Sequence, residues 1–127
     1  MSAAEAFQYA VWRVVPDLER GEALNAGVVV FARRHGFLAA RARLDEDKLR
    51  ALAADADVDA VRRHLDALVR IAAGDPQAGP IGALEPSERF GWLTAPSSTV
   101  VQPGPVHTGL CDDPQALLDR LYARLVA

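Results

Sequence analysis

Apolar residues dominate two segments near the start of the chain, and their pattern predicts two neighbouring interior β-strands. The first segment, residues 7–15, is rich in aromatic and β-branched residues, and both of its faces are largely apolar, as in a strand covered on both sides. The second, from Asn25 to Ala32, is almost wholly apolar and indicates another interior strand. Gly27 within it is unfavourable unless the strand bulges or another group approaches its backbone closely.

A polar loop over residues 16–23 joins the two predicted strands. Pro16 followed by Asp17 is typical of a turn, and Gly21 can take a positive φ without steric cost. The loop is longer than a tight hairpin requires, and functional groups often lie on long polar loops that a rigid sheet supports. We therefore expect the most informative polar side chains of the chain to lie here.

The pattern then predicts a third strand and two helices. Residues 33–36 are typical of a short hairpin turn that ends in a strained glycine, and residues 37–44 alternate as a strand with one face towards the core. Acidic residues at 45–47 favour a helix start. Apolar residues at helical spacing predict a second helix over about residues 57–73, and a Gly- and Pro-rich connector follows at 74–88.

The next segment predicts an aromatic stretch and one more strand. The stretch begins at Arg89, and we expect Phe90 and Trp92 to pack into the core. Residues 98–102 favour a fourth strand. Two prolines follow directly, and because proline cannot donate to a sheet ladder, they require an edge position, a bulge or a crossing.

A helix is predicted at the end of the sequence. Asp113 is typical of an N-cap and Pro114 of the first helical position, and the apolar face that follows predicts docking on the sheet. The order of the elements predicts an α+β fold with a mainly antiparallel sheet of three N-terminal strands plus at least one later strand, and with helices packed mostly on one face. We predict that residues 1–127 form a single domain, with residues 74–88 as an internal connector.

The composition excludes several classes of protein. Half of the 127 residues are hydrophobic, yet no apolar run approaches the roughly 20 residues of a membrane span. The first six residues lack the basic region and apolar core of a signal peptide. The one cysteine, Cys111, cannot form an internal disulfide and fits a reducing compartment. We expect a cytoplasmic protein without a membrane segment.

The charge is modest and unevenly distributed. A net charge of −3 argues against generic nucleic-acid binding. Residues 1–43 carry six arginines against four acidic residues, whereas the remainder is acidic. This asymmetry is consistent with attraction of an anionic ligand or an acidic partner surface, and equally with an ordinary solvated face.

Two sets of residues carry a resemblance to a known family. The first set spans the predicted strand pair and its loop: Tyr9, Val11, Arg13, Val15-Pro16-Asp17, Arg20-Gly21-Glu22, Asn25 and Gly27-Val28-Val29. The second lies later: Arg89-Phe90-Gly91-Trp92-Leu93 and Ser98-Thr99-Val100-Val101-Gln102-Pro103. Together with the C-terminal helix, they resemble the signatures of a bacterial family known as domain of unknown function 3037. The resemblance implies a small bacterial protein without an assigned activity. It also implies, as a protein partner, a kinase similar to the HipA group that is encoded beside such proteins.

The polar loop is the first candidate site. Arg13, Asp17, Arg20, Glu22 and Asn25 are placed where they can converge at one end of the sheet, and two arginines can bind a carboxylate or a phosphate. The alternative, which we favour, is that Arg13 pairs with Glu22 or Asp17, shielded from water, and fixes the loop. In that case Arg13→Ala would cost about 3 kcal/mol or more, because a desolvated carboxylate would lose its partner.

The second candidate lies around residues 106–113. His107 can act as a general base, and His107 with Cys111 and Asp112 offers metal-ligand chemistry. The pattern is weak, because His107-Thr108 matches one element of the two-histidine phosphoesterases and no second copy occurs. We therefore expect no metal site. Cys111 lacks a catalytic context and is expected to be a buried or half-buried thiol.

Two functional hypotheses remain. The first is a non-catalytic binding or accessory module, for a protein partner or an anionic small ligand, that needs no cofactor. A homodimer is compatible with it. The alternative is a small hydrolase or a phosphotransfer-related enzyme that uses Asp17, Glu22 or His107 with support from arginines. The candidate ligand- or partner-binding residues are the five loop positions together with Arg89, His107 and Thr108. Whether His107 and the loop face one cleft separates the two hypotheses.

Overall fold

The computed structural model describes residues 4–127. Five antiparallel strands form one sheet, β1 Glu5–Val14, β2 Leu24–Ala32, β3 Phe37–Ala42, β4 Val101–Pro103 and β5 His107–Cys111, and the helices are α1 Glu46–Leu52, α2 Val58–Ala73, α3 Pro86–Leu93 and α4 Pro114–Leu125. The strand order is β3-β2-β1-β4, and β5 also pairs with β1. Residues 1–3 lie outside the described residues. They belong to the predicted domain and to the segment in which we expect no signal peptide.

The helices divide unevenly between the two faces of the sheet. The larger core lies between the sheet and α1, α2 and α3, and it includes Trp12, Phe31, Leu49, Leu65 and Phe90. The smaller core lies on the other face, where α4 packs on β2 and β3. The predicted α+β fold is therefore confirmed, with three of the four helices on one face.

Because β2 contains a bulge, side chains from both halves of that strand point into the larger core. Trp12 pairs with Gly27 and Arg13 pairs with Asn25, so Ala26 is an extra residue in the ladder. A Cβ atom at Gly27 would lie 2.6 Å from Cε3 of Trp12. This glycine predicted a bulge or a close approach, and both are present. The bulge shifts the alternation of β2 by one residue.

β4 and β5 lie end to end along the same side of β1. β4 pairs with residues 12–14 and β5 with residues 5–9, and Gly104 between them donates its backbone N–H to the carbonyl of Val11 at 2.7 Å. Pro103 lies on this edge, and Pro105 lies in the irregular segment, as predicted. The fourth strand is displaced from the predicted residues 98–102. β5 was not predicted, because its five residues include a glycine and none of them is fully buried.

Most of the helix boundaries agree with the predicted signals. Asp45, Asp57 and Asp113 accept backbone hydrogen bonds at the starts of α1, α2 and α4, and α2 ends at Gly74, where φ is 70°. α3 was not predicted. Its eight residues begin within the connector, which otherwise forms two short 3₁₀ turns.

The predicted role of Trp92 in the core is wrong. Phe90 is buried and its ring centroid lies 5.3 Å from that of Phe31, whereas Trp92 is 45% exposed. The two residues are separated by two positions, so within α3 they point to different sides. No helix within residues 4–127 is long and apolar enough to cross a membrane.

Candidate functional site

Asp17 shapes the loop between β1 and β2. Its carboxylate oxygen Oδ1 accepts hydrogen bonds from the backbone N–H groups of Glu19 at 3.0 Å and Arg20 at 3.3 Å. Gly21 closes the turn with a φ of 71° and donates to the carbonyl of Asp17 at 3.0 Å. One oxygen of the carboxylate is therefore used within the loop, as in an Asx turn.

Glu22 pairs with Arg20, and both side chains are exposed. The hydrogen bond from Arg20, and then its charge, hold the pKa of Glu22 below its usual range, and the same interaction raises the pKa of Arg20. A pair this exposed adds little to stability, because water screens it. Glu22, one of the two acids predicted to pair with Arg13, is thus paired with Arg20 instead.

The predicted shielded ion pair of Arg13 is wrong. Arg13 is exposed, and its guanidinium lies over Gly104, where a Cβ atom would be 2.9 Å from Nη2. Among residues 4–127 it forms no ion pair with Asp17 or Glu22. The physical reason is that Arg13 lies near the end of β1, beside the irregular edge segment, so its charge reaches water and needs no acidic partner.

Asn25 and Arg89 hold helix ends in place. The amide nitrogen Nδ2 of Asn25 donates to the carbonyl of Leu125 at 3.1 Å, which ties the start of β2 to the end of α4. Arg89 donates from Nη1 to the carbonyls of Ile71 and Ala72 at 3.0 and 2.9 Å, and from Nε to that of Leu84 at 3.0 Å. Two of these carbonyls lie in the last turn of α2, where no further turn of the helix follows to supply N–H donors.

His107 lies away from the polar loop. It pairs with Tyr9, and the two rings stack with their centroids 5.0 Å apart, while Thr108 pairs with Gln8. Tyr9 precedes Arg13 by four residues of β1, which corresponds to roughly 13 Å along the strand. The structure therefore places His107 apart from the loop, and none of five cavities described for residues 4–127 is lined by both.

The single thiol does not have the properties of a nucleophile. Cys111 is half-buried, as expected, and burial, followed by the charges of Asp112 and Asp113, raises its pKa. A raised pKa keeps the thiol protonated near neutral pH, whereas a nucleophilic cysteine needs the thiolate. A search of the described residues for three or more His, Cys, Asp or Glu side chains able to hold one metal ion found no such group.

A two-part apolar cleft lies between α2 and residues 95–101, and we call it the α2 cleft. Its first cavity has a volume of about 350 Å³ and its second about 300 Å³, and both are lined by His64, Thr99 and Val101. The remaining lining residues of the first are Pro16, Leu49, Ala56, Asp57, Ala60, Val61 and Val100. Those of the second are Trp12, Leu68, Trp92, Leu93, Ala95, Pro96, Ser97 and Pro103.

The polar groups of the α2 cleft help to hold its own walls. Asp57 accepts a hydrogen bond from the backbone N–H of Ala60 at 3.0 Å. The hydroxyl of Thr99 donates to the carbonyl of Val101 at 2.9 Å and lies 2.8 Å from that of Ser97. Most of the surface that the cleft offers to a ligand is therefore apolar.

Sequence reasoning missed the α2 cleft for a physical reason. His64 lies on the exposed side of α2, and residues 95–100 form neither a helix nor a strand, so no periodicity marks them. The one available signal was Trp92, which lies outside the buried stripe that Phe90 and Leu93 form on α3.

Comparisons with known proteins give one match. The sequence model of the family described as "Protein of unknown function (DUF3037)" matches residues 9–126, a range that includes the polar loop, the α2 cleft and α4. Neither the curated proteins nor the solved structures contain a significant match.

Proposed function

The chain belongs to the DUF3037 family of proteins of unknown function, and from its geometry we propose that it is a non-catalytic protein-binding module. The proposed partner presents two apolar side chains from one segment, one for each cavity of the α2 cleft. The observation that carries this proposal is the pair of adjoining apolar cavities that share His64, Thr99 and Val101.

Exposed apolar side chains at both cavities support the proposal. Val100 lines the first cavity and is 39% exposed, and Trp92 lines the second and is 45% exposed. Large apolar side chains that remain in contact with water gain most when a partner covers them, and tryptophan is enriched among the residues that dominate binding energy. The two cavities have volumes at the lower end of ligand pockets, about 300 Å³, which suits side chains better than a large cofactor.

A protein partner fits the cleft better than an anionic ligand does. None of the residues that line the α2 cleft is Lys or Arg. Elsewhere, Arg20 bonds Glu22, Arg41 bonds Asp119 at 3.1 Å, and Arg89 bonds backbone carbonyls. These three arginines already have partners, and the exposed Arg13 does not line the cleft. Asp57 lines the first cavity and is exposed, so we expect a basic residue beside the apolar side chains of the partner.

The kinase similar to the HipA group is the first partner to test, since the family resemblance suggested it. The alternative of a small hydrolase or phosphotransfer-related enzyme has lost its main support, because His107 stacks on Tyr9 away from Asp17 and Glu22.

A matched pair of variants tests the proposal. Val100 and Leu84 are each 39% exposed, and only Val100 lines the cleft. A photo-reactive amino acid in place of Trp92 should crosslink one protein in the host, and the same amino acid in place of Leu84 should not. Calorimetry with that purified protein should then show that Val100→Asp weakens binding at least about tenfold, whereas Leu84→Asp leaves it unchanged. Equal binding by the two variants would contradict the proposal.

A further inference from the structure

The edge of the sheet formed by β4 and β5 is protected along only half of its length. Natural proteins protect edge strands with prolines, charges and bulges. The β4 half has Pro103, the irregular segment with Pro105, and the guanidinium of Arg13 over Gly104. The β5 half, His107–Cys111, has no proline and no Asp, Glu, Lys or Arg, and its Leu110 is 73% exposed.

Hydrogen bonding shows which groups of β5 are left open. Val11 accepts a hydrogen bond from Gly104, so it is a β1 residue that bonds towards this edge. Because successive residues of a strand direct their backbone groups to opposite sides, the odd-numbered residues of β1 bond towards the edge. The first, third and fifth residues of β5 pair with odd-numbered residues of β1. Thr108 and Leu110 therefore direct their N–H and C=O groups away from the sheet.

We propose that this open edge pairs antiparallel with β5 of a second copy of the same chain, about a two-fold axis at Gly109. In this register, Thr108 lies opposite Leu110 of the second copy, and the outward N–H and C=O groups of both residues form four intermolecular hydrogen bonds. Gly109 then faces its own copy in a non-hydrogen-bonded pair, where the Cα atoms approach most closely.

Gly109 suits the position on the axis. A Cβ atom there would lie 2.7 Å from Cε1 and Cζ of Phe7, so the ring of Phe7 fills the space that a side chain would take. The backbone of a second strand can approach a glycine at this position without displacing any side chain.

The strand is self-complementary, which is why a second copy fits it. A two-fold interface brings the same surface of two copies together, and like charges directly opposite are unfavourable in a sheet. Because β5 has no charged residue apart from the titratable His107, self-pairing brings no fixed like charges together. The helices cover the faces of the sheet, since α4 packs on β2 and β3 and α2 packs mainly on β3.

The dimer is expected to be weak and to depend on concentration. One short strand from each copy buries an area at or below the lower end of stable interfaces, about 1,200 Å². The dimer does not rest on the proposed function, because no residue of β5 lines the α2 cleft.

Substitution of one backbone donor tests the pairing. Thr108→Pro removes an N–H that points away from β1, so the monomer keeps its own sheet, and the same edge already holds Pro103. Thr108→Ala keeps the N–H and is the matched control. In sedimentation equilibrium, the native chain and Thr108→Ala should dimerise with similar affinity. Thr108→Pro should weaken the dimer at least about tenfold, because the substitution removes one intermolecular hydrogen-bond donor from each of the two copies. Both variants should show native circular dichroism.

Two further measurements keep the test decisive if Thr108→Pro alters the fold. Leu110→Lys places a charge on a residue that is already 73% exposed and should likewise give a monomer. Hydrogen exchange of the Thr108 and Leu110 amides should slow as the concentration rises. A native chain that is monomeric at millimolar concentration would overturn the proposal, and so would a dimer that persists in both edge variants.

Discussion

The indole of Trp12 occupies the space that a side chain at position 27 would need. A Cβ atom on Gly27 would lie 2.6 Å from Cε3 of Trp12 and 3.3 Å from the carbonyl oxygen of Arg41. Trp12 is fully buried and donates from Nε1 to the carbonyl of Leu93 at 3.1 Å, so the indole cannot move aside without breaking that bond. Because of this contact, position 27 of this interior strand has room for glycine only.

Gly27→Ala is therefore expected to lower the free energy of unfolding by about 2–3 kcal/mol, because it overpacks a rigid site. Urea unfolding followed by tryptophan fluorescence measures the change. Gly91→Ala is the matched control, since nothing lies within 4 Å of a Cβ atom there. Its position within α3 favours alanine by up to about 1 kcal/mol. Equal effects of the two substitutions would contradict the described packing of Trp12.

Arg89→Ala is expected to lower the free energy of unfolding by about 2 kcal/mol. The substitution removes a charged donor from three backbone carbonyls, two of which lie in the last turn of α2. Arg89→Lys should recover only part of the loss, because a single ammonium group replaces a guanidinium that donates through two of its nitrogens. Arg63→Ala, at an exposed position of α2, should change the free energy of unfolding by less than about 0.5 kcal/mol. Thermal denaturation of the three variants provides the comparison.

Arg13→Ala is expected to change the free energy of unfolding by no more than about 0.5 kcal/mol, as at other exposed sites. The sequence alone predicted a loss of about 3 kcal/mol, on the assumption that the guanidinium shields a carboxylate. The structure instead places this side chain at the surface over Gly104. A melting curve distinguishes the two values. A loss above about 2 kcal/mol would instead support the shielded ion pair and contradict the exposed position of Arg13.

The pKa of Glu22 in the folded chain should lie below its pKa in the unfolded chain. Because the pKa is lowered, the pair with Arg20 stabilises the folded chain at pH values above the unfolded pKa of glutamate, about 4.3. This stabilisation is lost as the pH falls through the lower pKa of Glu22 in the folded chain. NMR titrations of the side-chain carboxyl carbon, one of the folded chain and one of the chain unfolded in urea, measure the two pKa values. Arg20→Gln should return the folded pKa of Glu22 towards its usual range, and 1 M salt should shift it in the same direction. An unchanged titration in Arg20→Gln would show that the pair does not form in solution.

Most of the fold could be predicted because its signals are local. Aspartates before apolar helical stripes place the starts of α1, α2 and α4, and Gly27 predicted either a bulge or a close contact. α3 and β5 were missed because their sequences contain Gly or Pro and only two buried residues between them, Phe90 and Leu93. Tertiary contacts, rather than local propensity, hold such elements in place.

The candidate site could be predicted far less well than the fold. Five polar residues close together in sequence suggested a single cluster, yet Asp17 bonds its own loop, Arg20 bonds Glu22, and Asn25 bonds the end of α4. Sequence proximity cannot show which partner a polar side chain selects. The α2 cleft depends on residues that are distant in sequence, from Pro16 to Val101, and no local pattern records that they meet.

The pairing of β1 on both of its sides has a consequence for synthesis on the ribosome. β2 follows β1 closely, but the other side of β1 pairs with residues 101–111, which are made on the order of ten seconds later at ordinary rates of translation. Until then, one side of this largely apolar strand has no partner from its own chain. We expect the growing chain to be most prone to aggregation, and most dependent on chaperones, during that interval.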